Sequence, residues 1–407
     1  MRESKFTRTD IGVFPEDWTI RTIGETACVT TGAQNTQDKE DDGLYPFYVR
    51  SQKVERINKY IFDTEGVVTA GDGVGTGKVY HYVNGKFGLH QRCYLIYNFK
   101  EALNCKYFFW IFSQRFYERV HSMTAKSSVD SVRRDMITEM QIPIPPTIAE
   151  QERIAEALSD VDRLLRELDG VIAKKRAIKQ GAMQELLTGK RRLEGFGETK
   201  TKKTEIGEIP EDWIVTTLGS VVSIFDGTHQ TPSYVDYGYS FYSVENVTAN
   251  DFTNTKYISK EEFEFLTKSH KIEYNDVLMT RIGSIGVCKY VDWKPEAAFY
   301  VSLALLKVKN AKSFSMKYLA YASNAKYFID SVLLNSLQFA IPQKINLGEI
   351  SKIAIAFPPS VIEQEQIAES LNCLDEEIDA LETKRAKYEQ LKQGMMQELL
   401  TGKIRLV

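Results

Sequence analysis

Two stretches of this chain are written twice, and that duplication constrains the fold more than any local motif. Ile11-Gly12-Val13-Phe14-Pro15-Glu16-Asp17-Trp18 returns as Ile206-Gly207-Glu208-Ile209-Pro210-Glu211-Asp212-Trp213. Further on, Glu150-Gln151-Glu152-Arg153-Ile154-Ala155 through Met183-Gln184-Glu185-Leu186-Leu187-Thr188-Gly189-Lys190 returns as Glu363-Gln364-Glu365-Gln366-Ile367-Ala368 through Met396-Gln397-Glu398-Leu399-Leu400-Thr401-Gly402-Lys403. Each half is therefore an opening motif, a long divergent segment and a closing segment nearly alike in both copies, which is an architectural repeat. Two like frames around two unlike inserts imply two different recognition events at a fixed separation.

The closing segments read as helices. Ile154, Leu158, Val161, Leu165, Leu168 and Ile172 follow alternating four- and three-residue steps, and so do Ile367, Leu371, Leu374, Ile378 and Leu381. That spacing puts one narrow apolar seam on each helix, the pattern of a coiled-coil pair. Pro145-Pro146 and Pro358-Pro359 force extended backbone just before each helix, and Gly189 and Gly402 stand where a left-handed cap is inexpensive. About 40 residues at ~1.5 Å each make a rod of roughly 60 Å. Antiparallel pairing of the two copies would make a spacer; the alternative is that each rod covers its own domain.

The intervening segments carry short runs rich in Tyr, Phe, Val and Ile, such as Tyr45-Pro46-Phe47-Tyr48-Val49 and Lys78-Val79-Tyr80-His81-Tyr82-Val83, which predict strands. Lys106 to Val120 and Met316 to Leu334 carry helical spacing. Val67-Val68 matches Val277-Leu278, Gly73 matches Gly283, and Tyr94-Leu95-Ile96 matches Ala304-Leu305-Leu306, so one β core has been diversified through its loops. The expected fold is α+β: two mixed α/β domains separated by a pair of long antiparallel coiled-coil helices, with a pseudo-twofold internal repeat. The expected boundaries are 1–146 for the first domain, 147–190 for the first long helix, 191–203 for a charged linker, 204–358 for the second domain and 359–403 for the second long helix.

Composition narrows the function. With 52 Lys and Arg against 55 Asp and Glu, the net charge of −3 excludes a globally basic coat but permits a local basic face. The five cysteines show no Cys-x-x-Cys spacing, and the five histidines no His-x-x-x-His spacing, which speaks against a disulfide framework or metal site. No run approaches the roughly 18 apolar residues of a membrane span, so a cytoplasmic protein is expected.

In these tracts the chain resembles the specificity subunit of type I restriction-modification systems. The resemblance covers almost the full length: the Ile-Gly-x-x-Pro-Glu-Asp-Trp openings, the Pro-Pro-x-x-Glu-Gln-x-x-Ile-Ala helix starts and the Gln-Glu-Leu-Leu-Thr-Gly-Lys endings, with Val132-Arg133-Arg134-Asp135, Asp226-Gly227-Thr228-His229 and Leu278-Met279-Thr280-Arg281 inside the domains. It implies two target-recognition domains, each reading half of a bipartite sequence in double-stranded DNA. It further implies helices that fix the gap and dock two methyltransferase (modification) subunits, with restriction subunits joining the assembly. S-adenosylmethionine, ATP and magnesium would belong to those partners, leaving this chain without cofactor or catalytic residue.

Phosphates are bound by Lys, Arg and backbone N–H groups, and base edges by Arg, Asn, Gln, Ser and Thr on loops. That nominates Arg50, Ser51, Gln52, Lys53, the loop containing Gly73, Gly75 and Lys78, then His90, Gln91, Arg92, Lys126, Ser127, Ser128 and Arg133 in the first domain. In the second it nominates Thr228, His229, Gln230, Thr231, Glu245, Asn246, Arg281, Ser284, Gln338, Gln343 and Lys344. For each, ordinary turn or surface chemistry is the competing reading, and Arg133-Arg134 reads equally well as a structural ion pair. Trp18 and Trp213 read as core anchors.

Enzyme readings fit poorly. Gly71-Asp72-Gly73-Val74-Gly75-Thr76-Gly77-Lys78 misses the P-loop pattern at Asp72 and Val79, and the dinucleotide pattern at Thr76. No Asn-Pro-Pro-aromatic or Asp-Pro-Pro-aromatic tract of an adenine methyltransferase occurs. Glu382-Thr383-Lys384 reads as a charged helix face. The alternative from another class is a structural hub whose divergent domains bind proteins.

Overall fold

The computed structural model describes residues 5–100, 102–124, 131–197, 200–337 and 339–407. The duplication is visible strand by strand. Phe6–Thr9 pairs antiparallel with Gly12–Pro15, as Thr201–Thr204 does with Gly207–Pro210. In each hairpin a glycine at positive φ, Gly12 or Gly207, makes the turn, and its carbonyl accepts from the hydroxyl of Thr9 or Thr204 at 2.8 Å. The repeated Thr-x-Ile-Gly is thus a hairpin turn, where glycine adopts φ above zero without steric cost.

Each domain then builds the same antiparallel four-stranded sheet. In the first its order is Cys28–Thr31, Cys93–Tyr97, Gly66–Ala70, Tyr80–Val83; in the second it is Val222–Asp226, Leu303–Val308, Val277–Thr280, Cys288–Tyr290. Gly66–Ala70 and Val277–Thr280 are buried along their whole length, the mark of a strand covered on both faces. A second sheet in each domain contains one parallel pair, Tyr45–Tyr48 with Lys86–Leu89 and Tyr239–Tyr242 with Ala297–Phe299. The strands that begin and finish each insert lie side by side: Thr19–Thr22 pairs with Gln141–Ile144, and Ile214–Thr217 with Ala354–Phe357.

Helix Cys105–Thr124 closes the first core, stacking Phe108, Phe112 and Phe116 at 5.3 and 4.4 Å between ring centroids. The single helix expected over Met316 to Leu334 is instead two, Met316–Ala322 and Lys326–Leu334. The break has a local cause. The Asn324 amide donates to the Ala320 and Tyr321 carbonyls, taking acceptors that another turn would use, and Ala325 is extended.

The long helices run Ile148–Leu186 and Val361–Leu399, 39 residues each. Compactness groups the chain as 1–170 with 383–407, and 171–382, rather than in sequence order. Each unit thus holds one mixed domain, the start of the helix that follows it and the end of the other helix. Within the first unit Arg385 pairs with Asp169 at 2.5 Å and Lys392 with Asp162 at 2.6 Å. Within the second, Lys175 pairs with Glu377 at 2.5 Å, Arg176 with Glu382 at 2.7 Å, and Lys179 with Asp375. From Asp162 with Lys392 through Asp169 with Arg385 to Lys175 with Glu377 and Lys179 with Asp375, one partner's number falls as the other's rises, so the helices run antiparallel. The Lys175, Arg176 and Arg385 pairs are exposed, where an ion pair contributes little stability.

The seam divides in a way the spacing does not show. Ile154 and Leu158 join the core of the first domain, and Ile367 and Leu371 that of the second, so the first turns of each rod cover its own domain. Leu165, Leu168, Ile172 and Ile378 are buried outside those cores, while Val161, Leu374 and Leu381 are only partly covered.

The repeated motifs meet in an exchange. Leu399 and Leu400, ending the second helix, pack into the core that holds Phe14 and Trp18; Leu186 and Leu187, ending the first, pack with Trp213. Gly402 and Gly189, at φ +69° and +68°, turn the chain there, and a Cβ on either would strike Pro15 and Trp18 or Pro210 and Trp213. Just beyond, Arg405 bridges Glu150 and Asp17, with Nη1 2.9 Å from the Asp17 Oδ1 and Nη2 2.8 Å from the Glu150 Oε2. Arg192 does the same with Glu363, at 2.5 and 2.8 Å, and Asp212, at 2.8 Å. Gln151 donates to the Ala102 and Pro145 carbonyls and accepts from the Asn104 N–H, as Gln364 does with Ser313, Pro358 and Ser315. The Pro-Glu-Asp-Trp, Glu-Gln and Thr-Gly-Lys signatures are fastenings.

Candidate nucleic-acid interface

With the repeated motifs committed to the frame, the loops at the sheet ends remain for recognition. In the first domain Asp72 organises them. Its carboxylate accepts from Arg50 Nη1 at 2.5 Å and Arg92 Nη1 at 3.1 Å, holding two exposed guanidinium groups in fixed orientation. Charge-assisted bonds of this kind are short and strong, so Asp72 fixes where each guanidinium lies. Ser51 carries the bond from the Lys53 N–H, the Ser51 carbonyl meets His81 Nε2 at 2.9 Å, and Gln52 donates to the Lys78 carbonyl at 3.0 Å. These bonds bind the stretch Arg50 to Lys53 to the loop that follows Ala70. That loop turns at Gly73 and Gly77, both at positive φ, and packs Gly75 against the Arg50 carbonyl so closely that a Cβ would lie 2.6 Å away. Lys78 is exposed, 5.9 Å from the Tyr117 ring centroid.

Gln91 donates to Asn35 at 2.5 Å. The Val132 N–H donates to the Gly71 carbonyl at 2.7 Å, which sets the exposed Arg133 beside the same loop. Neither Arg133 nor Arg134 makes an ion pair among the described residues, so the structural-pair reading has no support there. The structure therefore brings Arg50, Ser51, Gln52, Lys53, Gly73, Gly75, Lys78, Gln91, Arg92 and Arg133 onto connected loops. Lys126, Ser127 and Ser128 lie outside the described residues. His90 departs from expectation: it is buried, its Nδ1 accepts from the Arg92 N–H at 3.0 Å, and burial followed by the Arg50 and Arg92 charges holds its pKa below the ordinary value. It shapes the loop from within.

In the second domain Asp226 is the organiser, receiving Arg281 Nη1 at 2.5 Å and lying 2.8 Å from His229 Nε2. Arg281, nominated for DNA contact, is only 4% exposed, and its Nε also donates to the Ile345 carbonyl. A guanidinium so enclosed is a strut: it ties Asp226 and the start of its own loop to the backbone at Ile345. Asn246 is a second departure, buried with Oδ1 on the Ser243 N–H and Nδ2 on the Asp251 carbonyl. His229, Gln230, Thr231, Glu245, Ser284 and Gln343 are exposed, and Thr228 and Lys344 partly so. Gln338 lies outside the described residues. Thr231 and Glu245 line a cavity of about 540 Å³ together with Lys256, Tyr300 and Ser302.

Asp72 and Asp226 hold these loops in place, as does Gln34, which accepts from the Leu89 N–H and donates to the Lys59 carbonyl; none of the three is among the residues nominated as DNA contacts. The signal was present for Asp226, which opens the Asp-Gly-Thr-His tract. A carboxylate repels phosphate, and its value here is to position cations.

Residues 15–175 and 210–393 match the type I restriction modification DNA specificity domain family, one match for each copy of the repeat. The chain belongs to that family. It is 28% identical to the type I restriction enzyme MjaVIII specificity subunit of Methanocaldococcus jannaschii, over 96% of this chain and 94% of that protein. Its fold is similar to the crystal structure of a type I restriction-modification S subunit from M. genitalium, with TM-score 0.66 and 16% identity over 94% of this chain and 96% of the other. A second solved chain, from a study of complex assembly and conformational transition in a type I system, gives TM-score 0.52 at 15% identity, covering 96% and 99%. Like other specificity subunits, this one is built from two target-recognition domains for DNA sequence. Among the described residues, no helix is long and apolar enough to cross a membrane, and no cluster of His, Cys, Asp and Glu could hold a metal ion.

Proposed function

We propose that each mixed domain reads one half of an asymmetric, bipartite site in duplex DNA, while the two long helices set the unread gap and dock two methyltransferase subunits. The observation that carries this reading is one fold present twice with unlike loop chemistry. The first domain presents Arg50 and Arg92 on Asp72; the second encloses its arginine and presents His229, Gln230 and Ser284. Identical loops would read a palindrome, whereas unlike loops read two different half-sites. Arg to guanine and Gln to adenine are the major-groove pairings these side chains favour.

On this reading the subunit is noncatalytic. Each half-site presents one adenine to a methyltransferase subunit, S-adenosylmethionine, ATP and magnesium are bound by partners, and restriction subunits join the full complex. The test is selection of randomised duplex DNA by this chain together with its methyltransferase partner. Enrichment of a split motif with a constant gap is the expected result. No enrichment, with protein partners retained, would favour the hub instead.

A further inference from the structure

Among the exposed large apolar side chains of the second domain, Phe339 is 98% and Ile341 100% exposed. They are not on a free end. The Leu337 N–H donates to the Lys344 carbonyl at 2.8 Å, Lys344 also bridges Ile282, and the Gly283 N–H donates to the Gln343 carbonyl at 2.8 Å. The base of this hairpin is therefore stitched to the loop of Arg281 and Ser284, within the interface just described. A ring exposed on both faces gains little from a flat protein surface, which covers one face, whereas a base step covers both. Apolar side chains that enter a duplex between base steps, flanked by hydrogen-bonding and cationic groups, are an established way to unstack or kink it. Gln343 and Lys344 stand at the base of the hairpin to meet base edges and phosphate.

We propose that Phe339 and Ile341 form a prong that enters the base stack of the half-site read by the second domain. This rests on the reading of the domains as DNA readers. Among the described residues of the first domain, the loop that follows Ala70 exposes Val74 but no aromatic ring, so the ring of Phe339 distinguishes the second reading face. The adjoining helix exposes Ile329, Leu333 and Leu334, so a protein subunit seated on this face is the competing occupant.

The test uses the full chain with its methyltransferase partner and the selected duplex, carrying 2-aminopurine in turn at each purine of both half-sites except the adenine presented for methylation and its immediate neighbours, because a methyltransferase flips its target base and would raise emission there by itself. The wild-type complex should raise emission at a step within one half-site. Phe339→Ala and Ile341→Ala, both at exposed positions that leave folding intact, should abolish that rise and weaken binding by about 5- to 100-fold, with Phe339→Leu retaining part of it. An unchanged rise in both alanine variants would overturn the prong. So would loss of the methyltransferase subunit from those variants on size-exclusion chromatography, which would make the face a protein contact. If the wild-type complex enriches no split motif at all, the DNA reading fails before any variant is made, and the prong falls with it.

Discussion

Replacing Arg405 by alanine should be far more damaging than its place beyond the end of the second long helix suggests. Arg405 is the one side chain that hydrogen-bonds the carboxylate of Glu150 among the described residues, and Glu150 is 1% exposed. Truncation leaves that carboxylate buried and unpaired, which costs about 3–5 kcal/mol. The Asp17 half of the bridge is worth much less, because Asp17 is exposed, and Asp17→Asn should cost under about 1 kcal/mol. Adding Glu150→Gln to Arg405→Ala should recover most of the loss, since a neutral amide replaces the stranded charge. Hydrogen exchange read by mass spectrometry localises the effect. A 3 kcal/mol loss corresponds to roughly 100-fold faster exchange in the segment 395–406, with the segment 186–193, fastened by Arg192, unchanged. Wild-type protection in Arg405→Ala, or a double variant as labile as the single one, would refute the reasoning.

Two shorter predictions concern the helices and the first reading face. Pairing of Asp169 with Arg385 and Lys175 with Glu377 means that deleting residues 171–174 keeps both pairs in register only if 380–383 are deleted as well, with loss of the Arg176–Glu382 pair. The matched deletion removes about 6 Å of each rod and should shorten the gap by one or two base pairs without altering either half-site, as methylated-adenine mapping would report; altered half-sites with an unaltered gap would refute it. His90, whose folded pKa lies below its ordinary 6.5, stays neutral where the unfolded chain already takes up a proton. Stability of the first domain should therefore fall as pH drops below about 6.5 toward the folded pKa, and His90→Gln should flatten that slope in urea melts.

The frame was legible in the sequence because it is duplicated: the two long helices and the buried Trp18 and Trp213 follow from tracts that appear twice, whereas the hairpin turn at Gly12 and Gly207 did not show in them. What spacing cannot reveal is the choice of partner. Nothing in Leu399-Leu400-Thr401-Gly402 says that it seats against Pro15 and Trp18, nearly four hundred positions upstream, rather than against its own copy. The reading faces were less legible still. Arg50 and Arg281 are the same residue type in nominated loops, yet one is held outward by Asp72 and the other enclosed by Asp226 and the Ile345 carbonyl. Exposure is decided by tertiary packing around each guanidinium, and a composition argument for phosphate or base contact is blind to it. Asn246 illustrates the same limit: an amide suited to adenine is spent closing a turn.

The neighbouring strands Thr19–Thr22 and Gln141–Ile144 carry a further consequence. A segment whose two ends leave the scaffold side by side can be exchanged for another of different length and shape, provided the newcomer begins and finishes with the same short ribbon. Thr9, Gly12, Asp17, Trp18, Glu150 and Arg405 all lie outside that ribbon, and so do their counterparts around Ile214–Thr217 and Ala354–Phe357. Such a molecule can acquire a new target by replacing one cassette while every rivet of the chassis stays in place.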